Sequence, residues 1–324
     1  MKAIYVERFT APDSVRVREV EKPIPTAGHV LIKVHATSVN YNTVALVTGK
    51  PFIVRLMTGG MRKPRYRIPG NDVAGRVEAV GANVSRFKRG DAVFGDTANV
   101  GFATFAEYVV APESVLEPIP AGVSFEDAAS APEAGLVALQ GLRDAGHIEA
   151  GQRVLIVGAS GGIGTFAVQI AKHLGAEVTA VCSTRNAAFV RSIGADHVID
   201  YTREDFASNG QNYDLVLSTA GYRPIVDYRR VLAAHGRYVS TGGSLRQIFE
   251  ALLLGPLLSR GGKTLRGLTV KPNMGLAELG AMIASGAVRP VIEQCYPLED
   301  ASAAFAYYAQ GRTRGKLVIT IARD

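Results

Sequence analysis

Residues 153–175, RVLIVGASGGIGTFAVQIAKHLG, run from a short apolar stretch through a glycine-rich turn into a segment whose apolar positions recur at helical spacing. The junction, Ala159-x-Gly161-x-x-Gly164, constrains the chain more than any other feature. A strand that turns this sharply into a helix presents the first helical N–H groups, and a glycine at 161 lets them approach a pyrophosphate at the positive end of the helix. Gly164 lets the helix pack closely on the strand. Ala159 stands where a first glycine is usual, and Gly158 and Gly162 add freedom. Ser160, Gly161, Gly162, Ile163 and Gly164 are therefore expected to cradle a dinucleotide.

The surrounding pattern agrees. From about residue 125, strand-like runs alternate with helical ones: EVTAVC (177–182), a helix over 186–195, HVID (197–200), YDLVLST (213–219), a helix near 224–234, then GRYVSTGG and TLRGLTV. Such alternation predicts a parallel sheet covered on both faces. The first 120 residues instead carry short alternating runs, HVLIKVHATSV (29–39), DVAGRVEAVG (72–81) and FAEYVVAP (105–112), separated by Gly, Pro and Asn. After about 272 come two helical stretches and the closing strands VIEQCY and KLVITI. The fold class expected is α/β: a doubly wound parallel sheet plus a β-rich domain.

An acid that binds both ribose hydroxyls belongs about 20 residues beyond the glycine motif, at the end of the second strand. This chain has Cys182-Ser183-Thr184-Arg185 there and no Asp or Glu from 178 to 195. Two hydroxyls and a guanidinium suit a 2′-phosphate, which a carboxylate would repel. Ser183, Thr184 and Arg185 thus point to NADPH.

Composition narrows the remaining classes. Two cysteines, Cys182 and Cys295, make no disulfide framework, which favours a reducing cytoplasm. No leader-like segment opens the chain and no apolar run suggests a membrane span. The net charge is +7, with six cations and no acid over 50–67, yet no nucleic-acid-binding module accompanies it. A solvated loop, or a lobe near an anion site, is the expectation for that stretch. The leucine-rich QIFEALLLGPLLSRGG (247–262) reads as core or subunit-interface packing, or else as a lid over an apolar site.

Residues 70–93, GNDVAGRVEAVGANVSRFKRGDAV, resemble the signature of medium-chain dehydrogenases/reductases, with Gly70, Gly75, Val77, Val80, Gly81, Val84, Gly90, Asp91 and Val93 in register. With the glycine turn and the ending RGKLVITI, the resemblance covers nearly the whole chain. It implies a GroES-like catalytic domain over 1–124, completed by 272–324, and a Rossmann domain over 125–271. The zinc members have cysteine, histidine and glutamate where this chain has Asn40, Asn71 and Asp72, and amides are poor zinc ligands. No metal is expected. The chain is therefore similar to the zinc-lacking, quinone oxidoreductase-like branch. That resemblance implies that Tyr201 flanks the adenosine phosphate, that Ala220, Gly221, Thr241, Gly242 and Gly243 run beside the ribose and nicotinamide, and that Lys316 lies near the cofactor entrance. It also implies a homodimer through the sheet edge near TLRGLTV. An acid is frequent three residues after the Asn40 position, where this chain has Thr43, and Val137 replaces a frequent threonine.

The expected activity is NADPH-dependent, zinc-independent hydride transfer to an apolar quinone or α,β-unsaturated carbonyl compound, with Asn40, Tyr41 and Asn42 as candidate hydrogen-bond donors to the developing anion. The alternatives are a non-catalytic NADPH-binding sensor or scaffold and an alcohol dehydrogenase-like carbonyl reductase.

Overall fold

The computed structural model describes residues 1–58, 60–242 and 245–322. The chain folds as two compact units. Unit 1 comprises Met1–Glu133, Pro272–Ala284 and Ile292–Asp324; unit 2 comprises Ala134–Lys271 and Ser285–Val291. The division therefore falls at Glu133, not at 124. The helix Phe125–Ser130 packs on the β-rich sheet of unit 1. Residues 285–291 go with unit 2, where the Gln169 amide accepts from Arg289 N–H (2.8 Å) and donates to its carbonyl (2.9 Å).

Unit 1 is built on β1 (Lys2–Ile4), β2 (Val17–Glu19), β3 (His29–Val39), β4 (Asp72–Val80), β5 (Ala92–Asp96), β6 (Tyr108–Pro112) and β7 (Leu116–Pro118). Unit 2 contributes β8 (Arg153–Val157), β9 (Glu177–Cys182), β10 (His197–Asp200), β11 (Tyr213–Ser218), β12 (Leu232–Ser240) and β13 (Thr264–Gly267); β14 (Ile292–Pro297) and β15 (Lys316–Thr320) return to unit 1. Helices used below are α1 (Tyr41–Thr48), α2 (Phe52–Met57), α3 (Phe125–Ser130), α4 (Pro132–Gln140) and α5 (Gly162–His173).

In unit 1 the strand order is β14-β15-β3-β4-β5-β7, with β6 also pairing β3. The pairs are antiparallel except β14 with β15. Alternation along β3 and β4 sends Val30, Ile32, Val34, Val73 and Val77 into one core with Val93, Val109 and Leu116. The last strand is integral to this sheet: Leu317 lies opposite Val39 and Thr320 opposite Ala36. The basic stretch is only partly a loop. α2 occupies its middle, the Arg55 guanidinium sits 4.5 Å over the Phe9 ring, and Arg62, Lys63 and Arg67 line an open surface pocket with Glu7 and Arg8.

Unit 2 holds an all-parallel six-stranded sheet in the order β10-β9-β8-β11-β12-β13. The order reverses between β8 and β11, the switch point where open α/β sheets bind ligands. Its core includes a stack of aromatic rings: Phe206 to Tyr228 at 5.5 Å and Tyr228 to Tyr238 at 4.8 Å, all three buried. The helix expected near 224–234 ends at Arg230, because Tyr213 N–H bonds Val231 O and the parallel ladder takes the chain from Leu232 onward. The leucine-rich segment is helical turns over 245–258, yet Phe249, Leu252, Leu253, Leu254 and Leu257 are exposed. Core packing does not account for these leucines.

Phe206→Ala should remove a fully buried ring from that stack and destabilise the protein by about 3–5 kcal/mol. Urea unfolding would show this as a lower midpoint with an unchanged slope.

Candidate active site

The sheet of unit 1 gathers a polar cluster at one end. Asn40 follows β3, Asp72 opens β4, Asp96 closes β5 directly opposite Asp72, and Lys316 opens β15. Antiparallel pairing places these strand ends side by side, and the first turn of α4 adds Glu133. Asn40, Asn71, Asp72, Asp96 and Lys316 are all buried. Asp72 is the hub. Its Oδ2 accepts from Ser38 Oγ (2.5 Å) and Asn40 Nδ2 (2.7 Å) and lies 3.7 Å from Lys316 Nζ, while its Oδ1 accepts the Glu133 N–H at 2.9 Å. The Lys316 ammonium also donates to Asn40 Oδ1. Asn71 Nδ2 lies within hydrogen-bond reach of Asp72 Oδ1 (3.3 Å), Asp96 Oδ1 (3.2 Å) and Glu133 Oε2 (2.9 Å), whereas Asn71 Oδ1 is buried with no partner.

The electrostatics follow from this crowding. Burial, then the charges of Asp72 and Asp96, push the Glu133 carboxyl up to about 8. Burial and Asp72 raise Asp96 to about 6. Burial pulls the Lys316 ammonium down from its usual range, and the attraction of Asp72, Glu133 and Asp96 opposes that.

Asn40 thus sits in the cluster, but both ends of its amide are engaged by Asp72 and Lys316, so it positions other groups and does not present a free donor. Tyr41 is exposed on α1, and Asn42 Nδ2 donates to Glu133 Oε1 at 3.0 Å. Lys316, expected near a cofactor entrance, is buried among carboxyls, because β15 pairs with β3 and delivers its first residue beside Asn40. Glu133 and Asp96 carry no signal in the motifs. The hint for Glu133 was the vacant acid position at Thr43: Thr43 is buried and its hydroxyl unpartnered, and the acid beside α1 comes from α4.

Unit 2 carries the glycine turn between β8 and α5. Gly158 has φ of +84°, and a Cβ on Gly164 would meet Gly158 O at 2.2 Å. A Cβ on Gly161 would find only Gly158 O, at 3.6 Å, so that side of the turn is open toward the N-terminus of α5, as a pyrophosphate requires. Ser160 Oγ accepts from Asn186 Nδ2 at 2.8 Å, tying the turn to the chain after β9. Farther along the carboxyl ends of the strands, Ser218 Oγ is buried without a partner, Thr241 Oγ1 donates to Ser218 O (3.3 Å), and the space around Gly242 is open. Ala220 packs against Gly158, and Gly221 lies against the Gln247 amide. Gly243 lies outside the described residues. Ile163 and Gly162 form the first turn of α5. These residues fit a nicotinamide dinucleotide.

At the end of β9, Arg185 and Thr184 are exposed and Ser183 is half-buried. Thr184 is not free for a phosphate: its hydroxyl donates to Asp200 Oδ2 at 2.5 Å and lies 3.0 Å from Thr202 Oγ1. β9 itself ends without an acid, but Asp200 on the neighbouring strand lies opposite Cys182. The Thr184 bond holds the Asp200 carboxyl below its usual range. Tyr201, half exposed, leans on Tyr222 with ring centres 5.5 Å apart.

Residues 26–121 match the model of an alcohol dehydrogenase GroES-like domain, and residues 193–319 match that of a zinc-binding dehydrogenase. The chain is 32% identical to a chloroplast envelope quinone oxidoreductase homolog of Arabidopsis thaliana, covering 93% of this chain and 92% of that protein. It is 33% identical to a trans-enoyl reductase of Aspergillus terreus, over 90% and 86% of the two chains. The structure of a quinone oxidoreductase from Coxiella burnetii superposes with a TM-score of 0.89 at 30% identity, covering 99% of each chain. The zinc in one family description finds no matching donors here. Asn40 and Asn71 offer amides in place of thiolate and imidazole, and Asp72 is paired with Lys316. Among the described residues no group of three or more His, Cys, Asp or Glu is arranged to hold a metal ion, and no helix is long and apolar enough to cross a membrane. A GroES-like sheet, a Rossmann unit and full-length likeness to these relatives establish that the chain belongs to the medium-chain dehydrogenase/reductase superfamily of oxidoreductases, in its quinone oxidoreductase-like branch.

Proposed function

We propose that this protein is an NADPH-dependent, zinc-independent reductase of quinones or α,β-unsaturated carbonyl compounds. The observation that carries this is the buried cluster of unit 1, in which Glu133, its carboxyl pushed toward the protonated form, sits beside Asn71, Asn40 and Lys316 in a donor set unsuited to zinc. Such a set suits substrates whose anion is delocalised as an enolate or hydroquinone anion and needs no strong Lewis acid. Relatives named as quinone oxidoreductase and trans-enoyl reductase support the same substrate class. When bound, the nicotinamide supplies the hydride. The chain's own residues hold the pyrophosphate at the N-terminus of α5 and orient the carbonyl compound.

For the cofactor, Ser183 and Arg185 favour a 2′-phosphate. A second reading, NADH, is favoured by Asp200, whose carboxylate lies on Thr184 and would repel that phosphate. Competitive binding separates the two. NADPH is expected to bind well ahead of NADH, and Arg185→Ala to weaken NADPH roughly 10- to 100-fold, the loss of about 1.5–3 kcal/mol from one charge-assisted contact, with NADH little changed. Equal affinities in the unmutated protein would rule NADPH selectivity out.

Elemental analysis of the purified protein should find no stoichiometric zinc, and chelators should leave turnover intact. About one zinc per chain, lost together with activity, would overturn the metal-independent assignment.

The reaction itself is tested with cofactor carrying deuterium at the transferred position and a simple enone. NMR should place the label at the β-carbon. Label at the carbonyl carbon would identify an alcohol dehydrogenase-like carbonyl reductase, and no transfer to any enone or quinone would identify a non-catalytic cofactor-binding protein.

A further inference from the structure

We propose that Glu133 delivers the proton that completes enone reduction, and that its own carboxyl stores this proton within the hydrogen-bonded cluster of Asp72, Asp96 and Glu133. This rests on the enone-reductase function proposed above. The geometry points to a stored proton first. Three carboxyls and one ammonium share one cluster, so full ionisation would leave two uncompensated negative charges in a place largely sealed from water, which is far costlier than retaining a proton. The donors are also too few. Asn71 Nδ2 has two hydrogens but faces an oxygen of each of the three carboxyls, at 3.3, 3.2 and 2.9 Å. Meanwhile Asn71 Oδ1 is a buried acceptor with nothing donating to it. A protonated carboxyl removes one of the two surplus charges and adds an O–H donor to the cluster.

The hydrogen-bond partners decide which carboxyl carries the proton. Asp72 accepts from a backbone N–H, a serine hydroxyl and the Asn40 amide, and has Lys316 Nζ at 3.7 Å; it is the anion the site is built to hold. Asp96 accepts the Ala98 N–H at 2.8 Å and is buried. Among the described residues, Glu133 accepts only from the side-chain amides of Asn42 and Asn71. It is also the one of the three that is half-buried, and its partner Asn42 and the neighbouring Tyr41 are exposed on α1. The remaining group that faces it, Tyr308, has its phenol pushed up by burial and by Glu133, so it stays neutral. The elevated affinity of Glu133 for its proton, near 8, agrees with this order.

The chemistry balances. Hydride adds to the β-carbon and the C=C π electrons move to form an enolate. The Glu133 O–H bond then breaks as the proton bonds to the α-carbon, the C=O re-forms, and the carboxylate regains a proton from water past Asn42. One proton from solvent and one hydride are consumed per enone.

The test uses the full-length protein and the variants Glu133→Gln and Glu133→Asp. Infrared spectra of the cofactor-free protein should show the carbonyl stretch of an un-ionised carboxylic acid that titrates near pH 8 and vanishes in Glu133→Gln. With an enone, wild-type kcat should be high below and fall above that pH, since the donor works only when protonated. Glu133→Gln should lose roughly 100-fold or more in kcat together with the alkaline limb, while Glu133→Asp retains the limb. In D2O the wild type should deuterate one face of the α-carbon and Glu133→Gln both faces. Enone reduction by Glu133→Gln with an unchanged limb and unchanged facial selectivity would overturn the donor role while leaving the enone-reductase function intact. A wild-type protein inert to every enone and quinone would overturn both. Absence of the titrating infrared band would overturn the stored proton.

Discussion

The Lys316 ammonium between Asn40 and Asp72 is the contact on which the candidate site depends. It joins the first residue of the last strand to the ends of the two strands that frame the site. A buried cation costs several kcal/mol in desolvation and is tolerated only where anions and acceptors surround it. Here they do, and the surrounding groups are fixed in turn: Ser38 and Asn40 on one oxygen of Asp72, the Glu133 N–H on the other. Removing one partner of such a pair leaves an uncompensated charge, at about 3–5 kcal/mol. The arrangement therefore constrains geometry more than it adds net stability. It holds Asn40 by both ends of its amide and sets the start of α4.

The cofactor turn obeys a different economy. There the turn offers a helix end and open glycine backbone in place of buried side-chain charges. Two opposite charges belong to the carboxyl end of the same sheet, Arg185 in the turn after β9 and Asp200 at the end of β10. At an exposed site their influence is screened over about 8–10 Å at ordinary salt. The Thr184 hydroxyl bonds to the carboxylate and not toward solvent.

The strand–turn–helix at 153–175 was readable from residues alone because its chemistry is local: a glycine spacing, an apolar strand and a helical period within about two dozen positions. The long strands β3, β4 and β9 were equally plain for the same reason. The active-site cluster was not. Asn40, Asn71 and Asp72 were singled out through a family motif, yet their partners Glu133, Asp96 and Lys316 lie 25 to 276 residues away along the chain and meet only through strand register. Asp200 was missed as a neighbour of Thr184 for the same reason: parallel pairing of β9 and β10, not sequence distance, brings it there. The end of the helix at Arg230 was misjudged because sheet pairing, not propensity, claims Leu232.

The position of β15 has a consequence for how the molecule comes into being. Lys316 is separated from Asn40 by 276 residues, and synthesis runs from the N-terminus, so strands β3, β4 and β5 leave the ribosome long before their cation exists. Until residues 316–320 emerge, that end of the sheet holds three carboxyls without the Lys316 ammonium, and the Ala36–Val39 edge of β3 lacks its partner strand. Such long-range closure is slow. An unpaired strand edge of this kind is a template for pairing with other chains until β15 closes it.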